Sequence, residues 1–450
     1  MPRHRPLSRL SALVFCVAIA YSLGVQLWIR PQAINGLYFH RWSSEDMMQT
    51  VSLRYLREDP IQTLLNIHIQ PPGFDGIRAL LAVPWRGLSD EDALRHVDSS
   101  LYLLGSILLG LLVAVTYAWL AEYSVPVALA GSMLLLLHPA SIFFATFLDS
   151  TLLSTLLVTC AVYYLWRMKN GSFSSVAAFA ALALALFFTR SVFQWPAFFL
   201  LAISLYLMGT QPRRIWGFLA ATLLIGGTYL VKQQLMFGLF STTSFTGISL
   251  SNSIGAGVST EVHTAFIDDA AHQTLVRASL PGVLTSKTKI NGQRNFNNID
   301  YLIMNTQLLD RFKQAFRHTS PAQLAGSYLQ NALIYFMPTS TYDHGHVIVD
   351  NLPWTSAYNV VFSAPVLPTL LLMALAIWVA RLVKHKTLGS GIGLLLPALY
   401  ILAASIFLDK GENMRFKFWL EPLMLIFIIS QLVALRDLLA LQARPTAAAH

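Results

Sequence analysis

The sequence predicts an all-α polytopic membrane protein with about ten transmembrane helices, and three observations carry the prediction. Hydrophobic residues make up 55% of the 450 positions and charged residues only 12%. A soluble domain carries about 25% charged residues, so this chain has too few to cover a water-facing surface. Apolar runs of about 18 to 25 residues, each long enough to cross a bilayer, recur along most of the chain. The short connections carry small basic groups on alternate sides, the pattern that sets membrane orientation. These groups are Arg3, Arg5 and Arg9; Arg167 and Lys169; Arg213 and Arg214; and Arg381, Lys384 and Lys386.

Spans are expected near 10–29, 100–121, 126–144, 149–166, 173–189, 191–209, 215–231, 359–383, 388–408 and 418–435. The first run follows a basic start but exceeds a signal-peptide core and ends in Trp28-Ile29-Arg30 without a small-residue cleavage site. It reads as an uncleaved anchor. An even number of spans returns both termini to the cytoplasm and puts every basic loop inside. The count depends on the break at Thr189-Arg190, because losing it inverts everything downstream. The net charge of +9 is explained by those loops, so nucleic acid is not an expected partner. Cys16 and Cys160 both lie in apolar runs and read as small buried hydrophobes, not as a disulfide or metal ligands.

This divides the chain into an N-terminal transmembrane module (1–231), an outer subdomain (232–357) and a C-terminal transmembrane module (358–450). The first module includes a large outer loop, 30–99. In it Ser43-Ser44 followed by Glu45-Asp46 reads as a helix start, with Met47, Met48, Val51, Tyr55 and Leu56 on one face. That helix is expected to lie at the membrane interface and to stop at Asp59-Pro60. His68-Ile69-Gln70-Pro71-Pro72-Gly73 reads as a turn before a short helix around Ile77–Ala82. Segment 232–357 is rich in Ser, Thr and Asn, and no internal repeat is evident.

Ionisable groups at or within spans are costly and invite a functional reading. Glu45 and Asp46 could take a proton from an attacking hydroxyl, or could simply stabilise the first turn of a helix. Arg190 could grip a lipid phosphate through paired hydrogen bonds, or reach an ordinary headgroup. Asp149 could orient a substrate or cap the helix it precedes. Near the last span, Lys410, Arg415 and Lys417 could hold a phosphate leaving group beside Glu412. Glu421 sits inside an apolar run and needs a partner. His68 could be a phosphate contact or a solvated loop histidine. No P-loop, G-x-S-x-G, H-E-x-x-H or Cys/His zinc spacing occurs. Matched pairs of broken helices, the transporter signature, are not apparent.

The order of these features resembles the GT-C superfamily of membrane glycosyltransferases, in the branch with protein O-mannosyltransferases and lipid A aminoarabinose transferases. The resemblance rests on Trp42-Ser43-Ser44-Glu45-Asp46, His68-x-Gln70-Pro71-Pro72, Leu148-Asp149-Ser150, Phe188-Thr189-Arg190, Glu412-x-x-Arg415-Phe416 and Glu421-Pro422. It covers about 10–235 best, with a second patch at about 408–422. The proline motif departs from the family's tighter His-Pro-Pro-Leu string, the Asp149 position is often Glu, and 232–357 matches no part of the pattern.

The resemblance implies a polyprenyl-phosphate-linked sugar donor and transfer to a hydroxyl of an acceptor glycan, lipid or protein. It also implies a site on the periplasmic side of a bacterial inner membrane. Glu45 or Asp46 would be the base, and Arg190 and Arg415, with His68 and Lys417, would hold the lipid phosphate. Asp149, Glu412 and Glu421 would support them. Arg190 and Arg415 are then expected to converge, although distant in sequence. No cofactor is required, and no metal ligand is assigned, though paired acids could bind a divalent ion. Two rival readings remain: a transporter or flippase of a lipid-linked sugar, and a non-catalytic membrane assembly subunit.

Overall fold

The computed structural model describes residues 9–29, 43–168, 173–254, 280–344, 352–385, 388–408, 410 and 413–442. These residues are helical between short turns. No strand forms among them, apart from one isolated bridge between Thr288 and Arg294. In chain order, the N-terminal helices are α1 (Arg9–Ile29), α2 (Leu53–Glu58), α3 (Pro60–Leu65), α4 (Gly73–Ala82) and α5 (Asp90–Leu120). There follow α6 (Val125–Leu136), α7 (Pro139–Thr146), α8 (Thr151–Arg167), α9 (Phe173–Thr189), α10 (Trp195–Leu207) and α11 (Pro212–Phe237). Then come α12 (Thr246–Ser253), α13 (Gly282–Thr285), α14 (Ile299–His318), α15 (Pro321–Tyr335) and α16 (Thr355–Val361). The chain closes with α17 (Val366–His385), α18 (Leu388–Phe407) and α19 (Asn413–Gln442).

Five of these, α1, α5, α11, α17 and α19, are long and apolar enough to cross a membrane. A sixth crossing exists if α6 and α7 count as one, bent by 55°. The sequence suggested an unbroken span over 126–144. The bend has a local cause: His138 precedes Pro139, whose ring disfavours the α conformation one residue earlier, and His138 is extended at φ −62°, ψ 123°. Segments of α8, α9, α10 and α18 are apolar but only 10–17 residues long. Large aliphatic side chains point outward, among them Leu235 at 81% and Leu224 at 72% exposure. Such faces suit a lipid surrounding and not water.

The helix ends follow from capping chemistry. The Ser89 hydroxyl accepts the Asp92 N–H at the start of α5, whose first turn also holds Asp90, Glu91 and Asp92 against the positive end of the helix dipole. Gly238 ends α11 in a left-handed conformation, φ +68°, as glycine does at many helix C-termini. Thr189 ends α9, so the break expected at Thr189-Arg190 is present. In the bundle, α8 packs on α5, α9 and α19, and α19 also packs on α15, α17 and α18. The main core runs along these contacts through Tyr117, Leu165, Phe187, Phe198 and Trp419.

The interfacial helix expected from Ser43 does not form. Residues 43–50 are turns, and Val51-Ser52 are outside helix before α2 begins. Met47, Val51 and Leu56 are buried while Met48 is exposed, so the apolar residues do not share one outer face. The expected stop is present, because Asp59 ends α2 and its side chain then caps α3. Segment 232–357 is tied to the bundle through α15. The Asn331 amide donates to Ser253 O and Ile406 O, each at 3.0 Å.

Candidate functional site

The ends of three helices bring distant charges together. Asp149 precedes α8, and its Oδ1 accepts the Thr151 N–H at 2.7 Å; the capping role is therefore present. Its other oxygen does more. Arg190, one residue past α9, donates from Nη2 to Asp149 Oδ2 at 2.7 Å, and Arg415, in the first turn of α19, donates from Nη1 to the same oxygen at 3.0 Å. The two guanidinium nitrogens thus sit within two hydrogen-bond lengths of each other.

Arg190 and Arg415 are 5% and 4% exposed, so neither reaches an ordinary headgroup in this arrangement. Arg190 also donates to Gln49 Oε1 at 2.8 Å and to Thr151 Oγ1 at 3.1 Å. Its buried Nε–H has no acceptor among the described residues. Burial and the neighbouring Arg415 push Arg190 down to about 10, which still leaves it cationic at neutral pH.

Helical periodicity explains which residues of α19 join this site. Successive residues turn by about 100°, so positions 415 and 419 share a face while 417 and 421 take the opposite one. Trp419 accordingly lies under Arg190, 5.7 Å from its guanidinium carbon. Lys417, expected beside Arg415, points away. It donates to Met337 O at 2.6 Å and Phe362 O at 2.7 Å, and lies 3.4 Å from Glu421. Glu421 finds the partners that the sequence demanded: Lys417, and Thr339, whose hydroxyl donates to it at 2.6 Å. His138 lies 3.6 Å from its second oxygen. This second cluster is separate from the Asp149 site. Glu412 lies outside the described residues. Lys410 donates to Gln330 at 2.9 Å.

The turns before α2 are held by a buried ionic network, and it separates the two adjacent acids. Glu45 is fully buried. Its Oε1 accepts from Arg78 at 2.9 Å and from the Leu53 N–H at 2.5 Å, so it caps α2 and neutralises Arg78. Arg78 also donates to Asp75 at 2.6 Å and Val51 O at 2.7 Å. These bonds satisfy the backbone where the expected helix fails to form. Lys289 closes the loop from 239 to 244 positions away, donating to Glu45 O, Met47 O and Thr50 Oγ1 at 3.0, 2.7 and 3.1 Å. Three acceptors match the three protons of an ammonium, although burial pulls Lys289 down to about 8.

Asp46 is only partly buried. One oxygen accepts from Asn291 at 2.8 Å, while the other is buried without a partner among the described residues. Burial raises its carboxyl to about 6. Each acid thus has one carboxylate oxygen buried without a partner among the described residues, Glu45 Oε2 and Asp46 Oδ2; Asp46, raised to about 6, has the basicity suited to proton transfer near neutral pH.

His68 is a pin and not a phosphate contact. It is fully buried. Its Nε2 faces Asn297 O at 2.9 Å and so carries the proton, while Nδ1 accepts from the Ser244 hydroxyl at 2.9 Å. Burial lowers it to about 4, so it is neutral. Its neighbours Gln70 and Pro71 line a cavity of about 310 Å³, together with Gln49, Arg190, Gln194 and Phe416. Glu45 and Asp46 do not line that cavity. Gly73 brings the loop close: a Cβ there would meet Phe188 O at 2.5 Å, so glycine allows α4 to rest on the last turn of α9.

Among the described residues no group of three or more His, Cys, Asp or Glu side chains could hold a metal ion. Sequence reasoning missed Gln49, Asp75, Arg78, Lys289 and Asp98, which accepts the Ser43 hydroxyl at 2.7 Å and the Ser44 N–H at 3.1 Å. Asp75 and Arg78 carried a signal, an acid–arginine pair one helical turn apart. Lys289 carried none, since its partners are so remote in sequence. No protein-family model matches the chain, and comparison with curated proteins finds no match.

Proposed function

We propose that this chain is a GT-C-type membrane glycosyltransferase that moves a sugar from a polyprenyl-phosphate donor to an acceptor hydroxyl on the extracytoplasmic face. The observation that carries the reading is the meeting of Arg190 and Arg415 on Asp149 Oδ2, beside a cavity that Arg190 lines. Two guanidinium forks at one point match the oxygens of a phosphate, which would share or take over the place of the Asp149 carboxylate. As the bond from the anomeric carbon to the phosphate oxygen breaks, charge grows on that phosphate, and fixed buried cations stabilise it. Asp46 accepts the proton of the attacking hydroxyl, and Glu45 holds the loop. Gln49, which bonds Arg190, is three residues from Asp46 and couples the base-bearing loop to the phosphate site.

The membrane arrangement belongs to the same proposal. The five membrane-length helices, the bent pair and the four shorter apolar helices together make ten crossings. Ten crossings keep both termini inside and place the Arg190 end of the bundle outside, as the basic loops require. The test is binding of polyprenyl phosphate to the purified full chain, with polyprenol as the uncharged control. Arg190→Ala is expected to weaken binding while the protein stays folded. Arg190→Lys should recover only part, since an ammonium keeps the charge and loses the fork. Undiminished binding by both variants removes the phosphate site from Arg190.

A further inference from the structure

A second cavity, of about 520 Å³, opens between α5, α8, α17, α18 and α19. It lies toward the opposite end of the bundle from Arg190. Both α8 and α19 start at the Asp149 site and run away from it, and the cavity's wall on α19 reaches from Leu420 to Gln431. At 1.5 Å per residue, Gln431 is about 24 Å along the axis from Arg415. Trp119, Trp166 and Trp378 line the cavity with aliphatic side chains of α17, α18 and α19. Its outer wall is α17, of whose apolar window only 17% is buried inside the protein.

The polar groups gather at one end. Arg381 donates to Gln431 Oε1 at 3.2 Å, Gln431 donates to Ser430 at 3.0 Å, and Tyr123 lies beside Ser430 and Arg381. Arg381 is half-buried, and the group it donates to is a neutral amide. No carboxylate pairs with it among the described residues. A guanidinium set into an apolar wall calls for an anion. Lys384, exposed and nearly one turn further along α17, adds a second cation at the same end.

We infer that this cavity binds one anionic membrane phospholipid, with an acyl chain among the tryptophans and the phosphate on Arg381. The volume falls within the range of about 300–1,000 Å³ typical of ligand pockets, and a lining apolar except at one cationic end matches a lipid's division into tail and headgroup. The site shares no residue with the Arg190 cavity, so the inference holds or fails independently of the proposed reaction.

The test is native mass spectrometry of the purified full chain in detergent, with phosphatidylglycerol and phosphatidylcholine of identical acyl chains added in turn. One phosphatidylglycerol should be retained about fivefold more tightly, the ratio that one basic residue adds against an anionic lipid surface. Arg381→Gln should abolish the preference and Arg381→Lys should keep most of it. Ala398→Phe, which intrudes from α18, should reduce retention of both lipids. Equal retention by the unchanged protein, an unaltered preference in Arg381→Gln, or full retention by folded Ala398→Phe overturns the proposal. Displacement of the phospholipid by polyprenyl phosphate also overturns it, because the cavity then holds a polyprenyl tail. The two Arg381 variants decide the question even if Ala398→Phe does not fold.

Discussion

Asp149→Asn replaces the oxygen on which Arg190 and Arg415 meet by an uncharged amide NH2. That oxygen accepts from Arg190 at 2.7 Å, Arg415 at 3.0 Å and the Thr151 hydroxyl at 2.7 Å, and the Asp149 side chain is only 9% exposed. An asparagine oxygen can still accept the Thr151 N–H, so the start of α8 is preserved, while the amide NH2 faces both guanidiniums as a donor and they lose a shared charge and a shared acceptor. Removing one partner of a buried ion pair costs about 3–5 kcal/mol. Here two guanidiniums lose a shared partner and face each other, which puts the expected cost in the upper part of that range. Arg190→Ala should cost less, about 1–3 kcal/mol, because Arg415 still pairs with Asp149. The assay is thermal unfolding of the purified protein in detergent, with polyprenyl phosphate or polyprenol added. If the site is built for a phosphate, the lipid phosphate supplies the lost anionic acceptor in Asp149→Asn. At a hundred times its dissociation constant it then returns about 2.7 kcal/mol. Failure of polyprenyl phosphate to stabilise folded Asp149→Asn, or equal stabilisation by polyprenol, would refute the phosphate site.

Asp46 should impose a pH dependence on turnover, with the rate rising as pH passes about 6 and the dependence lost in Asp46→Asn. Its folded value lies above the ordinary 3.8, so its stabilising contribution is present below that value and lost as pH rises through about 6. Asp46→Asn should therefore leave neutral-pH melting unharmed, whereas Glu45→Gln should lower it by removing one of the two carboxylates that pair with Arg78. His68, lowered from 6.5 to about 4, contributes stability that is complete above 6.5 and lost as pH falls through about 4. Hydrogen exchange at 66–69 and 295–298 should accelerate over that window, and His68→Gln should abolish the acceleration. For topology, in a background without Cys16 and Cys160, Gln62→Cys and Lys287→Cys should react with an impermeant thiol reagent on spheroplasts. Arg213→Cys should react only after permeabilisation; the reverse pattern inverts the proposed orientation.

The helices were legible because apolar runs and their breaks are local facts. Thr189-Arg190 and Asp59-Pro60 end helices where the sequence places the breaks. Asp149, Arg190, Arg415 and Glu421 were legible as residues needing partners, because a charge in an apolar run is costly wherever the chain folds. Which partner each takes was less legible. Arg415 and Lys417 look equivalent in the sequence, and only the helix face separates them. The run from Ser43 has helical spacing, yet Asp75 and Arg78 of α4, Asp98 of α5 and Lys289 take over its backbone bonding. Lys289 reaches Glu45 across 244 positions, a contact that no local pattern announces. His68 sits in a turn that reads as solvated, and its burial depends on Ser244 and Asn297.

The central claim is that the chain breaks the bond between a sugar and a polyprenyl phosphate. The most direct measurement is release of free polyprenyl phosphate from polyprenyl-phosphate sugar by the full chain in vesicles, with a membrane extract supplying the acceptor. The unchanged protein should release it and form a glycosylated product in equal amount. Folded Asp46→Asn should be slower by about 10²–10⁴-fold, the range for loss of a general base, while still binding polyprenyl phosphate. Movement of the intact donor across the bilayer without release, or release that Asp46→Asn leaves undiminished, would contradict the account.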